Sequence, residues 1–406
     1  MSNAAILGAL EYEIEAAWGE DLTTFTTHRL PVLDKIDVSG LRHEKVAPNR
    51  VVQYRNEGTP WVTMAQGGEI KTKFHLAGHG SATSGATALT PIETLLGYVF
   101  GNASVSAASG TTAAAGGSAS TPITVASSTF ASSSLCRVGV IGDGRGNGQF
   151  YPINAHSGTN LVLLAALDAA LNIGDVVHSN VNIYPSETPT AGTVQSLRMR
   201  FLSANLKYEA HGVFPKSVSF SGLGAGEIPT VGVTWGVSWW RQTAVGAFPS
   251  AVAQSVFTPA PVAAGSFALN TVATTARSKR IWRDLSIDYT LGIVELNGPG
   301  GANQYQSTIG ARRVPDMIKL SWSEDASTTF DDLWTSANRL HATITLSAAA
   351  GSAVGFYLPN MCITGQRPVQ TDGNGINRQR LEAMVYTGNE IGAGEIGLSA
   401  FRMGLA

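Results

Sequence analysis

Residues 228–240 read IPTVGVTWGVSWW, and this run decides the fold class. Val231, Val233, Trp235, Val237 and Trp239 take alternate positions, with Thr230, Gly232, Thr234, Gly236 and Ser238 between them. A period of two is the mark of a strand with one buried face, because successive side chains of a strand point to opposite sides. At ~3.3 Å per residue the run extends ~40 Å, about twice an ordinary strand. The glycine–threonine face lets another surface approach closely.

The same period continues on both sides. Leu197, Met199 and Phe201 alternate with Ser196, Arg198 and Arg200, followed by Leu206 with Tyr208 and Val218 with Phe220. Further upstream, Ile70, Thr72, Phe74 and Leu76 alternate with Lys71, Lys73 and His75, and Val177, Ser179, Val181 and Ile183 share a face. Downstream, 281–296 reads as a second long strand with Ile281, Leu285, Ile287, Tyr289, Leu291 and Ile293 on one face. Ile318, Leu320 and Trp322 alternate, and three last strands are predicted at 341–347, 354–363 and 380–386. Two short apolar runs, Cys136–Gly142 and Gln149–Ile153, flank GDGRGNG, where Asp143-Gly144 has the chemistry of a hairpin turn.

Three stretches predict helix. Ile6, Leu10, Ile14 and Trp18 recur at four-residue spacing before Gly19. Thr90 is an N-cap, Pro91 takes N1 and Glu93 completes a capping box, with Leu95, Leu96, Val99 and Phe100 apolar and Gly101 as the stop. Thr329 precedes a short helix containing Leu333, Trp334, Ala337 and Leu340. The βαβ alternation of a doubly wound fold is missing. The expected fold is mainly β: an antiparallel sandwich or open barrel with one or two flanking helices, a single domain over 1–406. Two stretches poor in charge interrupt it, a low-complexity insertion or hairpin arm at 103–135 and a loop excursion at 243–280.

Composition bounds the function. The 406 residues carry 27 Lys and Arg against 29 Asp and Glu, a net charge of −2. No basic block is present to grip nucleic acid by releasing counterions. No apolar run is long enough to span a bilayer as a helix, and the acidic N-terminal stretch is not expected to be a secretory signal. Cys136 and Cys362 fit no metal or redox spacing and are expected to be free, with a bridge as the alternative. Only 14% of the chain is charged, against about 25% in an average soluble domain. A chain so poor in charge is expected to hide much of its surface in an assembly.

Catalytic patterns are weak. GxSxG is absent, GDGRGNG fits neither dinucleotide nor phosphate loops, and His75 with His79 lacks a third ligand. Among carboxylates, Asp284 with Asp288 and Asp331 with Asp332 are the pairs to weigh for glycosidase chemistry. The simpler reading is a solvated or interfacial strand face for the first and a helix-dipole partner for the second. No enzyme activity, metal or cofactor is expected.

Three stretches carry a resemblance: EIKTKFHLAGHGSATSGATALTPIETLLGYVFG at 69–101, LKYEAHGVFPKSVSFSGLGAGEIPTVGVTWGVSWW at 206–240 and TLSAAAGSAVGFYLPNMCITGQRPVQTDGNGINRQRLEAMVYTG at 345–388. Together they resemble the tail tube, or major tail, proteins of long-tailed bacteriophages. That resemblance implies a ring-forming subunit, six copies to a ring, with stacked rings making a hollow tube that conducts DNA during ejection. The implied partners are further copies of the chain, a tape-measure protein, a terminator, and passing double-stranded DNA held without tight binding. The implied location is the virion tail, assembled in the bacterial host cytoplasm, with no membrane. In this frame Arg55, Glu57 and Trp61 are candidates for an inter-ring loop. Val231, Val233, Trp235, Val237 and Trp239 are candidates for a ring-wall strand. The alternatives are another phage structural protein (neck, terminator, baseplate or decoration subunit) or a carbohydrate-binding adhesin.

Overall fold

The computed structural model describes residues 9–16, 18–19, 28–33, 36–46, 62–79, 89–104, 109–112, 123–126, 135–139, 149–157, 159–163, 167, 173, 175–185, 195–203, 206–243, 262, 265–271, 278–299, 306–312, 316–325, 339–346, 352–366, 370–371, 377–386 and 400–406. Across them the chain is mostly strand with one helix, and every paired strand is antiparallel, as the alternation predicts.

The N-terminal third supplies β1 (Ala9–Ile14), β2 (His28–Pro31), β3 (Asp37–Val46), β4 (Val62–His75), α1 (Pro91–Phe100) and β5 (Gly101–Ser104). Helix α1 starts as the sequence requires. The Thr90 amide donates to Glu93 Oε2 at 2.7 Å, and the Glu93 amide donates back to Thr90 Oγ1 at 3.4 Å. Gly101 closes it in the left-handed region, with φ 107°. The face with Leu95, Leu96, Val99 and Phe100 is buried, and Phe100 packs against Phe220, Tyr289 and Phe401.

Next come the short strands β6 (Ser109–Thr112), β7 (Ile123–Ala126), β8 (Leu135–Gly139), β9 (Gln149–Ser157), β10 (Asn160–Leu163) and β11 (Val176–Ser179). They close into a six-stranded barrel. Its core holds Ile123, Tyr151, Ile153, Leu161, Leu167 and Val177.

The rest builds the main sheet. It contains β12 (Val181–Pro185), β13 (Leu197–Ser203), β14 (Leu206–Ser221), β15 (Thr230–Thr243), β16 (Ser266–Thr271), β17 (Ser278–Arg280) and β18 (Trp282–Thr290). A separate hairpin follows, β19 (Ile293–Pro299) with β20 (Gln306–Arg312). The chain ends with β21 (Met317–Asp325), β22 (Leu340–Thr345), β23 (Val354–Gln366), β24 (Gln370–Thr371), β25 (Asn377–Val385) and β26 (Arg402–Leu405).

Two forks shape the eighteen-stranded sheet. Strand β14 pairs with β15 along one side, while its other side meets β13 through Leu206–Val213 and β18 through Ser217–Phe220. Strand β23 has β26 beside Val354–Tyr357 and β25 beside Met361–Gln366. One continuous hydrogen-bonded run is β2–β1–β13–β14–β15–β4–β3. From β14 the second path goes β18–β21–β25–β23 and on to β26–β12–β5. Both enclose one apolar core containing Leu10, Phe74, Trp235, Ile287, Trp322 and Phe356.

Several expectations are corrected. The predicted N-terminal helix is strand β1 over its described part. Leu10 and Tyr12 enter the core, Glu11 and Glu13 take the other face, and Ile14 is exposed. The four-residue spacing of Leu10, Ile14 and Trp18 is incidental, because pairing with both β2 and β13 overrides local helix preference; Ile6 lies outside the described residues. The single strand at 281–296 is two, β18 and β19. The chain turns at Leu291, where the Ile293 amide donates to the Leu291 carbonyl and the Gly292 amide to Asp316 Oδ1 at 2.7 Å. Ile281 is exposed accordingly. Val177 and Val181 belong to different sheets, separated at Asn180. Part of the 243–280 stretch is strand, β16 and β17. Leu340 opens β22 instead of closing a helix; the remainder of that predicted helix is outside the described residues. Cys362 is free and partly buried.

Candidate assembly face

The predicted ring-wall residues lie on β15. Val231, Val233, Trp235 and Val237 are all in the main core of the chain itself, and Trp239 is buried beyond its edge. Trp235 finds its polar partner inside, donating from Nε1 to Thr72 Oγ1 at 2.8 Å. These side chains therefore set the rigidity of the strand rather than reaching out to a partner. The predicted inter-ring residues Arg55, Glu57 and Trp61 lie outside the described residues.

The opposite face of the β2–β3 run carries features that no single stretch of sequence reveals. Glu11 stands opposite Arg200, Arg200 opposite Glu209, and Glu209 opposite Arg241. Charges of alternating sign thus cross β1, β13, β14 and β15 in one row. Arg200 pairs with Glu11 at 2.5 Å, Arg241 with Glu209, and Lys207 reaches Glu209 at 3.0 Å. Arg198 pairs with Glu13 one step along. Arg29, on the outer strand β2, occupies the register position beyond Glu11. Glu11, Arg198 and Glu209 are buried, so the pairs hold charge where water is scarce and geometry decides their worth. Burial pushes the Glu209 carboxyl up, but hydrogen bonds from Arg241 and Lys207 outweigh it and hold it below the ordinary value.

Glu15 ends the row of carboxylates. It accepts from the Gly19 amide at 2.8 Å, the Gly212 amide at 3.1 Å and the Ser196 hydroxyl. Beside it, His211 stacks on Trp239 at 4.1 Å. The Trp239 indole donates to the Gly19 carbonyl at 3.1 Å, and Trp18 donates to Ser238 Oγ at 2.9 Å.

The β19–β20 hairpin seats on the same run further along. The Phe214 ring lies against the backbone of both Gly236 on β15 and Gly310 on β20. Lys216 Nζ binds Glu69 on β4 and Glu295 on β19, the latter at 2.8 Å. Beyond that tether Val294 and Leu296 are exposed.

The run ends at β2 and β3, and just past β2 the Leu33 amide donates to the Lys73 carbonyl of β4 at 2.9 Å. Among the described residues β2 pairs only with β1, and β3 only with β4. It is also staggered: β13 meets the first half of β14, whereas β4 meets Thr230–Val237 of β15, which lies beside the second half of β14.

The chemical candidates are not brought together. His79 Nδ1 is 2.9 Å from Glu93, the capping-box carboxylate, while His75 sits at the exposed end of β4. Burial, then Lys73, lowers the His75 imidazole from its ordinary value. Among the described residues no group of three His, Cys, Asp or Glu could hold a metal ion. Asp284 and Asp288 are both exposed, and a bulge between Arg283 and Ser286 breaks their common register. Asp284 takes the left-handed region there, at φ 50°. Asp331 and Asp332 lie outside the described residues, as do Asp143 and Gly144, though the runs beside that turn pair as β8 and β9. Among the described residues no helix is long and apolar enough to cross a membrane. A scan against protein-family models and a search of curated proteins found no match.

Proposed function

We propose that the chain is a structural subunit of a phage tail tube, self-assembling into stacked hexameric rings that conduct DNA during ejection. The observation that supports this reading is the staggered seven-strand run that ends, among the described residues, in two strands with one partner each, β2 and β3. An open edge is a template for another strand, and closure into a barrel removes it. If β3 of one copy pairs with β2 of the next, the contact is head-to-tail, and a fixed rotation closes it into a ring. The stagger along the run supplies the strand tilt that closure needs.

In this reading the partners are copies of the chain, a tape-measure protein, a terminator and passing DNA, and the place of action is the virion tail. A net charge of −2 suits a conduit, since a basic lining would hold phosphates. Sedimentation velocity over a hundredfold range of concentration, about as wide as the method allows, tests the reading. The expected result is growth from monomer to a discrete ring species and then to larger stacks. A monomer at every concentration contradicts it. A proline in the middle of β3, at Leu41, disturbs this edge strand and should suppress the ring species while leaving the monomer folded.

A further inference from the structure

The β19–β20 hairpin connects two neighbouring strands. Thr290, the last residue of β18, stands opposite Met317, the first of β21, and the hairpin is the excursion between them. Its root is pinned. Asp316 accepts from the Gly292 amide at 2.7 Å and from the Tyr289 hydroxyl at 2.5 Å, and the Leu291 amide donates to the Lys216 carbonyl at 3.0 Å. Ile293 packs there against the main core. The tight turn from Leu291 to Ile293 folds the chain back, so that β20 lies against β14, β15 and β4.

Among the described residues β19 and β20 pair only with each other, so no ladder joins them to the sheet beneath. Two kinds of contact replace it. One is apolar. Phe214 is fully buried, yet it takes the face of β14 opposite Val213, which belongs to the main core. Its cover is Trp18, with ring centroids 5.8 Å apart, and the backbones of Gly236 and Gly310. Gly310 comes from the hairpin, so part of that cover is the hairpin itself. The other contact is ionic. Lys216 Nζ reaches Glu69 on β4 and Glu295 on β19, spanning sheet and hairpin. Burial alone would lower the Lys216 ammonium, but its hydrogen bonds to Glu295 and Glu69 outweigh that and raise it. All three side chains remain partly exposed, so dissolved ions reach them. Val294 and Leu296, on the other face of β19, are exposed and add nothing to the seat.

We infer that the β19–β20 hairpin is a hinged strap, closed over Phe214 by the Lys216 clamp, and that it opens as a unit while the sheet beneath stays folded. The reason is the difference in attachment. Freeing β14 or β15 breaks long ladders on both sides. Freeing the strap breaks one partly exposed ion cluster and slides Gly310 off one ring, which places it at the low end of local stability. Exposed ion pairs are weak and screened by salt, so ionic strength shifts how often the strap opens. Opening uncovers Phe214 and the Gly236 backbone. The strap belongs to the single chain and does not depend on rings forming.

The test is hydrogen–deuterium exchange read by mass spectrometry on the full chain, at neutral pH and low protein concentration. It is run in about 10 mM and about 1 M sodium chloride, which changes the screening length about tenfold. Peptides from Ile293–Pro299 and Gln306–Arg312 should exchange well ahead of those from β14 and β15. High salt should speed the hairpin by a further factor of about two to five, the range that a partly exposed ion cluster allows, and leave β14 and β15 unchanged. Lys216→Met should bring the hairpin to its fast rate already in low salt, and salt should then speed it no further. Glu295→Gln should shrink the salt effect. Exchange of the hairpin in step with β14 and β15 overturns the inference. So does a hairpin indifferent to salt, or an undiminished salt effect in Lys216→Met. The salt series on the unaltered chain decides even if a variant fails to fold.

Discussion

Phe214 packs against Gly310: a Cβ added to that glycine would lie 2.8 Å from Phe214 Cδ2 and 3.1 Å from Ile293 Cγ2. The hairpin seat therefore depends on a missing side chain. Gly310→Val should lower stability by about 1–3 kcal/mol, the usual cost of overpacking. Urea denaturation checks this, with the midpoint falling and the slope unchanged. An unchanged midpoint means the hairpin does not bear on Phe214.

The charge row makes a second prediction. Arg200→Met removes the cation paired with the buried Glu11 and should cost about 3 kcal/mol, near the lower end for breaking a buried pair. The double variant Glu11→Leu with Arg200→Met should recover most of that loss. A double-mutant cycle in denaturant measures the coupling, and simple additivity of the two losses would contradict paired burial.

Acid should act through Glu209. Its native carboxyl is held below the ordinary 4.5, so the group adds stability that is present above that value and is lost as pH falls through the lowered native one. Glu209→Gln should start less stable at neutral pH and lose less on going below 4.5. Thermal unfolding at a series of pH values reads the difference, and parallel curves for the two proteins would exclude the role.

The helix cap is a local test. Thr90→Ala removes the acceptor for the Glu93 amide and should cost about 0.5–2 kcal/mol, while Thr90→Ser should be nearly neutral. Equilibrium unfolding of both variants separates the hydroxyl from the methyl group.

Much of the body was legible because its strands are buried on one face. Val231 to Trp239, Ile70 to Leu76 and the Thr90–Glu93 cap carry their signals in adjacent residues. Strand β1 carries two competing patterns: Glu11, Glu13 and Glu15 alternate with Leu10, Tyr12 and Ile14, while the four-residue spacing of a few apolar residues masks that period of two. Arg198 and Glu11 lie on the faces opposite the apolar residues of their strands, yet they are buried. Their partners come from strands far apart in sequence, so only the register reveals the row. The barrel was harder still. Its strands are short and built of small residues, and their pairing across long stretches of chain leaves no local pattern. The seat of Phe150 depends on Gly355 and Gly404, whose absent side chains carry no signal of their own.

Negative-stain electron microscopy of the concentrated, purified chain tests the central claim most directly. The account predicts hollow rings, sixfold in end view, and short stacks of them, with Leu41→Pro giving isolated particles instead. A uniform field of single particles from the unaltered chain, at every concentration examined, would contradict it.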